Sequence, residues 1–249
     1  MMDLINGELF KICKSSLYKV LFLILIAVGI FGTFQFYKYI DGFGFENIDN
    51  ENLIDIITQI LGGIPKGGST ANGIAIYLFL ISVVGGISSL FIVPVLSSMV
   101  ISTEYSARSI QQLVGKGTVR HRIVLSKFIV MSLFIIIMNL SIAFLGFLAT
   151  TAYYGIGSLS EYIFSMMVFS VKIILMNVAF MSISSFMAYL FKSSSASMPI
   201  SFLVTTCVFS DVGEMLISKD SILCLTVFLL LILVFLSSTI IIFNKSDIH

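Results

Sequence analysis

The chain has few charges, no tryptophan and only two histidines, and each shortage excludes a class of protein. Charged residues make up 11% of its 249 positions, against roughly a quarter in ordinary soluble domains. A soluble fold of this size would have too few charges to cover its surface. The only histidines are His121 and His249, so there is no histidine pair for zinc and no His-x-x-Glu-His arrangement. No serine stands in a nucleophile-elbow sequence. The three cysteines, Cys13, Cys207 and Cys224, are odd in number, widely spaced and set in or beside apolar segments, which suits small buried hydrophobes better than disulfides or metal ligands. Without tryptophan, any aromatic belt at a membrane interface falls to residues such as Tyr37, Tyr39, Tyr153 and Tyr154. The net charge of +1 gives no reason to expect nucleic acid as a partner.

One glycine-rich stretch invites a nucleotide reading and fails it. Gly62 to Ser69 has the glycine spacing of a phosphate-binding loop, but Gly68 stands where the loop's lysine must reach the phosphates. No ATP or other cofactor is expected on this chain, and no catalytic or metal-binding residues.

What is present is apolar sequence: 58% of residues are hydrophobic, in runs long enough to cross a bilayer at about 20 residues per helix. The chain is therefore expected to be an all-α membrane protein with six transmembrane helices in a single domain over 1–249. Met1 to Ser16 carries Leu4, Ile5, Leu9, Ile12 and Cys13 at helical spacing with Lys11 and Lys14 among them, the pattern of an amphipathic interface helix (1–17). The first span, about Tyr18 to Tyr37, ends without a small-residue cleavage site and reads as a retained helix, not a signal peptide. An outer loop (41–73) holds the acidic stretch Asp41 to Glu51, an amphipathic piece from Leu53 to Leu61, and a glycine-rich turn region from Gly62 to Gly73. The second span runs from about Ile74 to Ile101, a basic loop occupies 102–127, and the third span covers about Phe128 to Thr150.

The fourth and fifth segments each admit two readings. Tyr162 to Phe191 is either one helix of about 45 Å or an interfacial helix up to Lys172 followed by a span from Ile173. Lys172 either marks a substrate path or snorkels to the interface, the commoner fate near a helix end. Met198 to Ser210 is short of a full span; it either extends back to Ser194 or is a half-membrane element completed by a re-entrant region before an outer loop (211–221) with Asp211 and Glu214. The sixth span is Ile222 to Phe243.

Charge sets the orientation. With both termini cytoplasmic, inside segments hold ten of the fourteen basic residues, and nine of the thirteen acidic ones fall outside.

The most informative segment is Ser102 to Lys127. Glu104 to Leu113 is expected to form a short helix stopped by Gly115-Lys116-Gly117, with Glu104, Arg108 and Gln111 on neighbouring turns and Glu104 and Arg108 spaced as an i, i+4 charge pair. The run Arg120, His121, Arg122 and Lys127 leads into the third span. Residue physics alone leaves two readings open: a positive loop near anionic lipid, or a docking element for a cytoplasmic partner.

Glu104-Tyr105, Ile110, Val114-x-Lys116-Gly117 and Arg120-x-x-Ile123-x-x-Ser126-Lys127 together resemble the loop of ABC-2 type transporter permeases. The N-terminal helix, the short fifth segment and the ending Phe243-Asn244-Lys245-Ser246-Asp247-Ile248 agree with that resemblance. It implies a coupling helix that docks on a separate ABC ATPase subunit, present in two copies and carrying the ATP and Mg, with Glu104, Arg108, Gln111, Gly117 and Arg120 as coupling residues. It also implies a second identical or homologous permease subunit, with Lys172, Asp211 and Glu214 as candidates for the translocation path. Within the family, size and the acidic outer loop resemble bacteriocin, lantibiotic and other peptide export or immunity permeases of Gram-positive bacteria. The use of eleven Lys to three Arg is compatible with a low-GC source. The expected activity is outward movement of amphipathic peptides or lipid-like molecules across the bacterial cell membrane. The alternative is a stand-alone channel or secondary transporter of a small solute, which would need intramembrane acids or inverted repeats; the sequence displays neither.

Overall fold

The computed structural model describes residues 2–43, 68–107, 109–154, 163–217 and 221–245. Among these the chain is nearly all helix, with no strand: α1 (Met2–Lys14), α2 (Ser16–Phe43), α3 (Gly68–Ile87), one turn of π-helix (Ser88–Ile92), α4 (Val93–Ser106), α5 (Ser109–Gly115), α6 (Arg120–Tyr154), α7 (Ile163–Phe191), α8 (Ser194–Ile217) and α9 (Ser221–Lys245).

Among the described residues, four helical stretches are long and apolar enough to cross a membrane: Leu80–Ser106, Arg120–Ala152, Ile163–Phe191 and Ile222–Lys245. A fifth is reached if Leu4–Lys14 and Tyr18–Phe31, which meet at a 61° bend, count as one broken span. The apolar part of α8, Ser194–Phe209, is shorter. The structure thus supports a multi-pass helical membrane protein, with four or five such spans among the described residues; six are expected from the sequence.

Helix α7 is the centre. It packs on α9, α8, α4, α6 and α3, and from Met176 to Ser185 it is buried on every side. An apolar helix with no polar face belongs in such an interior position. Helix α9 shows the opposite pattern. Its buried residues Cys224, Phe228, Thr239 and Phe243 lie on one stripe against α7, while Leu229, Leu230, Leu233 and Val234 face outward. Close packing depends on small residues: Ser197, Ser201 and Thr205 follow one another at four-residue spacing on α8 and are fully buried. Gly85 of α3 lies so close to Ile173 of α7 that an added Cβ would collide with its side chain.

Several boundaries differ from the sequence reading. Helix α7 is one continuous element, so the split at Lys172 is not made. Helix α8 extends back to Ser194 and runs on to Ile217, so Asp211 and Glu214 lie in its last turns instead of in an outer loop. A helix, unlike a membrane-embedded run, need not stop at a charge. Helix α3 starts at Gly68, inside the expected turn region. The acidic stretch beyond residue 43 and the amphipathic piece from Leu53 to Leu61 lie outside the described residues.

Candidate functional site

The basic loop and the N-terminal helix come together at one pole of the bundle. The second span does not stop at Ile101. No Gly or Pro interrupts 101–106, and α4 carries Glu104 and Tyr105 in its last turn. The expected helix from Glu104 to Leu113 therefore falls in two elements, the end of α4 at Ser106 and the short α5 from Ser109.

Helix α5 is anchored by Ile110, which is fully buried, while Gln112, Gly115 and Lys116 are exposed and Gln111 is half-buried. Its stop is the one expected. Gly117 adopts φ +80°, its N–H donates to the Val114 carbonyl at 2.9 Å, and the Thr118 N–H donates to the Leu113 carbonyl at 3.2 Å. That is a glycine-terminated helix end in which the last carbonyls find donors.

At the same pole lies a four-residue ion cluster. Lys127 near the base of α6 is completely buried; its ammonium donates to Glu8 of α1 at 3.2 Å and also to Glu104 of α4. Lys11 of α1 bridges the same two carboxylates, at 3.1 Å to Glu8 and 2.9 Å to Glu104. Two ammonium groups and two carboxylates cancel, which is what allows Lys127 to lie in the interior, since a buried charge must be paired and hydrogen-bonded. A cavity of about 380 Å³ opens beside the cluster, lined by Glu8, Lys11, Tyr18, Thr103 and Glu104 among others. Burial alone would lower the Lys11 pKa, but the hydrogen bonds and charges of Glu104 and Glu8 outweigh it and raise it above the ordinary value.

Two further links close the pole. The Arg120 guanidinium donates to the carbonyls of Phe243 at 3.2 Å and Asn244 at 3.0 Å, holding the end of α9 with a cation where a helix C-terminus favours one. Tyr189 of α7 stacks edge-on between Tyr105, at 6.2 Å, and Phe243, at 5.3 Å, and the Lys192 amine sits 5.8 Å over the Tyr105 ring.

Of the coupling residues expected from sequence, Glu104, Gln111, Gly117 and Arg120 are gathered at this pole. Arg108 lies outside the described residues, and so does its expected pairing with Glu104. Among the described residues, Glu104 joins Lys11 and Lys127. Sequence reasoning missed Glu8 and the part played by Lys127. A signal for Glu8 was there: it falls between Leu4 and Ile12 at four-residue spacing, an acid centred on the apolar face of its own helix. The arrangement ties the ends of five helices together.

Lys172, Asp211 and Glu214 belong elsewhere in the bundle. The Lys172 side chain is buried and turned inward instead of snorkelling out, its amine donating to the Leu216 carbonyl in the last turn of α8 at 3.4 Å. The side chains of Asp211 and Glu214 lie outside the described part.

A family model described as "ABC-2 family transporter protein" matches residues 2–218, from α1 through α8. No curated protein and no solved structure matches the chain.

Proposed function

Because the chain belongs to the ABC-2 family of transporter proteins, we propose that it is the permease subunit of an ATP-driven exporter that moves amphipathic peptides or lipid-like molecules outward. Membership makes it a membrane permease of an ABC transporter. The outward direction, the substrate class and the mode of coupling are the proposed part.

One observation carries the coupling. Helix α5 is anchored by fully buried Ile110, presents Gln112 and Lys116 outward, and packs on α4, whose Glu104 belongs to the ion cluster that joins α1, α4 and α6. A partner seated on α5 would therefore move three other elements with it. In this reading two ATPase subunits hold the ATP and Mg, and two permease subunits, identical or homologous, enclose the path. Helices α2 and α8 complete six spans per subunit, with both termini in the cytoplasm of a bacterial cell. The Phe- and Met-rich interior suits weakly selective apolar contacts. The acidic residues between positions 41 and 55 would draw cationic peptides by long-range attraction. Lys172, Asp211 and Glu214 are assigned to the path or its outer mouth.

The test begins with co-expression of the permease and an ABC ATPase subunit from its source organism. Purification as one complex is expected, and a cysteine placed at Gln112 should cross-link to the ATPase in a nucleotide-dependent way. The reading fails if no ATPase associates, or if the chain alone moves solute in liposomes without ATP, which is the behaviour of a channel.

A further inference from the structure

Helices α1 and α2 meet at a 61° bend, and the space on its inner side is not filled. The cavity of about 380 Å³ beside the ion cluster lies between the last turns of α1, the first turn of α2, the end of α4 and the start of α5. That volume is in the range of small-molecule sites and would hold roughly a dozen waters at about 30 Å³ each. Its depth in the bilayer follows from the sequence on either side. Helix α2 carries no charge from Val20 to Tyr37, just after Lys19, and the second span carries none from Ile74 to Thr103, just before Glu104. Both changes from apolar to polar fall beside the cavity, which places it at the level of lipid headgroups.

The lining sorts its charges by exposure. The carboxylates of Glu8 and Glu104 reach it but are only 9% and 12% exposed, and both are held by the ammonium groups of Lys11 and Lys127. The Lys11 side chain is 55% exposed. With two of its three protons on those carboxylates, it keeps one for a ligand. Lys14 and Lys19, both exposed, stand on either side of the bend. Four lysines here thus face two carboxylates, a surplus of two positive charges, and a ligand approaching the cavity meets ammonium groups first. Neutral donors complete the lining. The hydroxyls of Thr103 and Ser109 are spent on the Met99 and Glu104 carbonyls. Those of Ser15 and Tyr18 make no hydrogen bond among the described residues. Ile12 and Val100 form an apolar wall.

We propose that this cavity seats the headgroup of an anionic phospholipid from the leaflet in which α1 lies. The phosphodiester accepts from the Lys11 ammonium and from the Ser15 and Tyr18 hydroxyls. The acyl chains run into the bilayer over apolar surface that begins within two turns on both helices, at exposed Val20, Leu23 and Ile24 of α2 and Met99 of α4. Such a lipid is a resident component, distinct from any transported molecule, and it joins α1, α2 and α4 where the cavity keeps them apart. The inference needs only that the chain lies in a membrane, not that an ATPase drives it.

The experiment uses the full chain in mild detergent, mixed with phosphatidylglycerol or with phosphatidylcholine of the same acyl chains and weighed intact by native mass spectrometry. One phosphatidylglycerol per chain is expected to stay bound, preferred over phosphatidylcholine about fivefold or more, which is the worth of one lysine near an anionic surface. Equal retention of the two lipids overturns the site. Ser15→Leu and Ala107→Leu add bulk to the cavity from its part-exposed and exposed sides and leave every charge in place. Each should lose the bound lipid while its unfolding midpoint in phosphatidylcholine stays near the parent's. A variant that keeps that midpoint and still holds the lipid overturns the site, and if one of the two does not fold, the other decides. Lys11→Gln should erase the preference, and Lys14→Gln, outside the lining, should weaken it less. Equal weakening by the two would make the effect a diffuse surface attraction and overturn the site. Phosphatidylglycerol is also expected to raise the unfolding midpoint of the parent chain, and inorganic phosphate in millimolar excess is not. An equal rise with inorganic phosphate would assign the cavity to a free anion and overturn the lipid.

Discussion

Lys127 of α6 and Glu8 of α1 meet at 3.2 Å although 119 positions separate them in the chain, and the lysine has no exposed surface at all. Lys127→Met leaves Glu8 and Glu104 sharing Lys11 alone. Removing one partner of a buried ion pair costs about 3–5 kcal/mol. A clear fall in the thermal unfolding midpoint in detergent is expected. Adding Glu8→Gln to Lys127→Met should recover part of it, because Glu104 and Lys11 then remain a neutral pair. An unchanged midpoint for Lys127→Met would show that the cluster contributes nothing to stability.

Helices α3 and α7 approach through Gly85, where any Cβ meets Ile173. Gly85→Ala is expected to destabilise the bundle by about 1–3 kcal/mol, the usual cost of overpacking. Ile173→Ala in the same chain opens the space and should make the alanine at 85 tolerable. The two single variants and the double variant, compared by thermal unfolding, test the contact as a cycle. Additive effects would rule it out.

Arg120 should protect the end of α9. Arg120→Ala removes donors to the Phe243 and Asn244 carbonyls. At about 1 kcal/mol for the net loss of hydrogen bonding, amide exchange in the last turn of α9 should quicken roughly fivefold. Arg120→Lys should restore part of the protection. Exchange that does not change would remove Arg120 as the link between the loop and the last span.

The docking of α1 has a pH limit whose direction follows from Lys11. Its folded pKa lies above the ordinary 10.5. A raised pKa means that the stabilisation is complete below the ordinary value and is lost as pH rises through the folded one. A fluorophore on exposed Cys13, with the other cysteines replaced, should keep constant anisotropy from about pH 7 to about pH 10 and lose it above that. Lys11→Arg keeps its charge over this range and should abolish the loss. The same loss in the arginine variant would assign it to another group.

The pole of the bundle was partly legible in the sequence, for local reasons. The stop at Gly117 is written in the chain, since a left-handed residue at a helix end favours glycine. The amphipathic character of α1 is likewise a matter of spacing. The cluster was not legible as a cluster, because Glu8, Glu104 and Lys127 are brought together by tertiary packing and no local pattern pairs them. Counting apolar residues ends the fifth segment at Ser210, before Asp211, because hydropathy measures where a helix is comfortable in lipid and not where its hydrogen bonding stops. The π turn was hidden for another reason. Gly85, Gly86 and Pro94 mark a weak region, but whether the backbone answers with an i→i−5 bond depends on the neighbours it packs against.

The central place of α7 also bears on how the protein is made. A chain emerging from its N-terminus completes α3, α4 and α6 before any of α7 exists. Helices α3 and α6 can pair as soon as both are present, but the faces of α4 that later meet α7 and α8 have nothing to meet. Domains made N-terminus first expose such unfinished surfaces during synthesis. The serines along α4 therefore spend that interval against lipid or the insertion machinery, their hydroxyls held by their own helix backbone. That self-sufficiency lets α4 wait in the membrane until its fourth-span partner arrives.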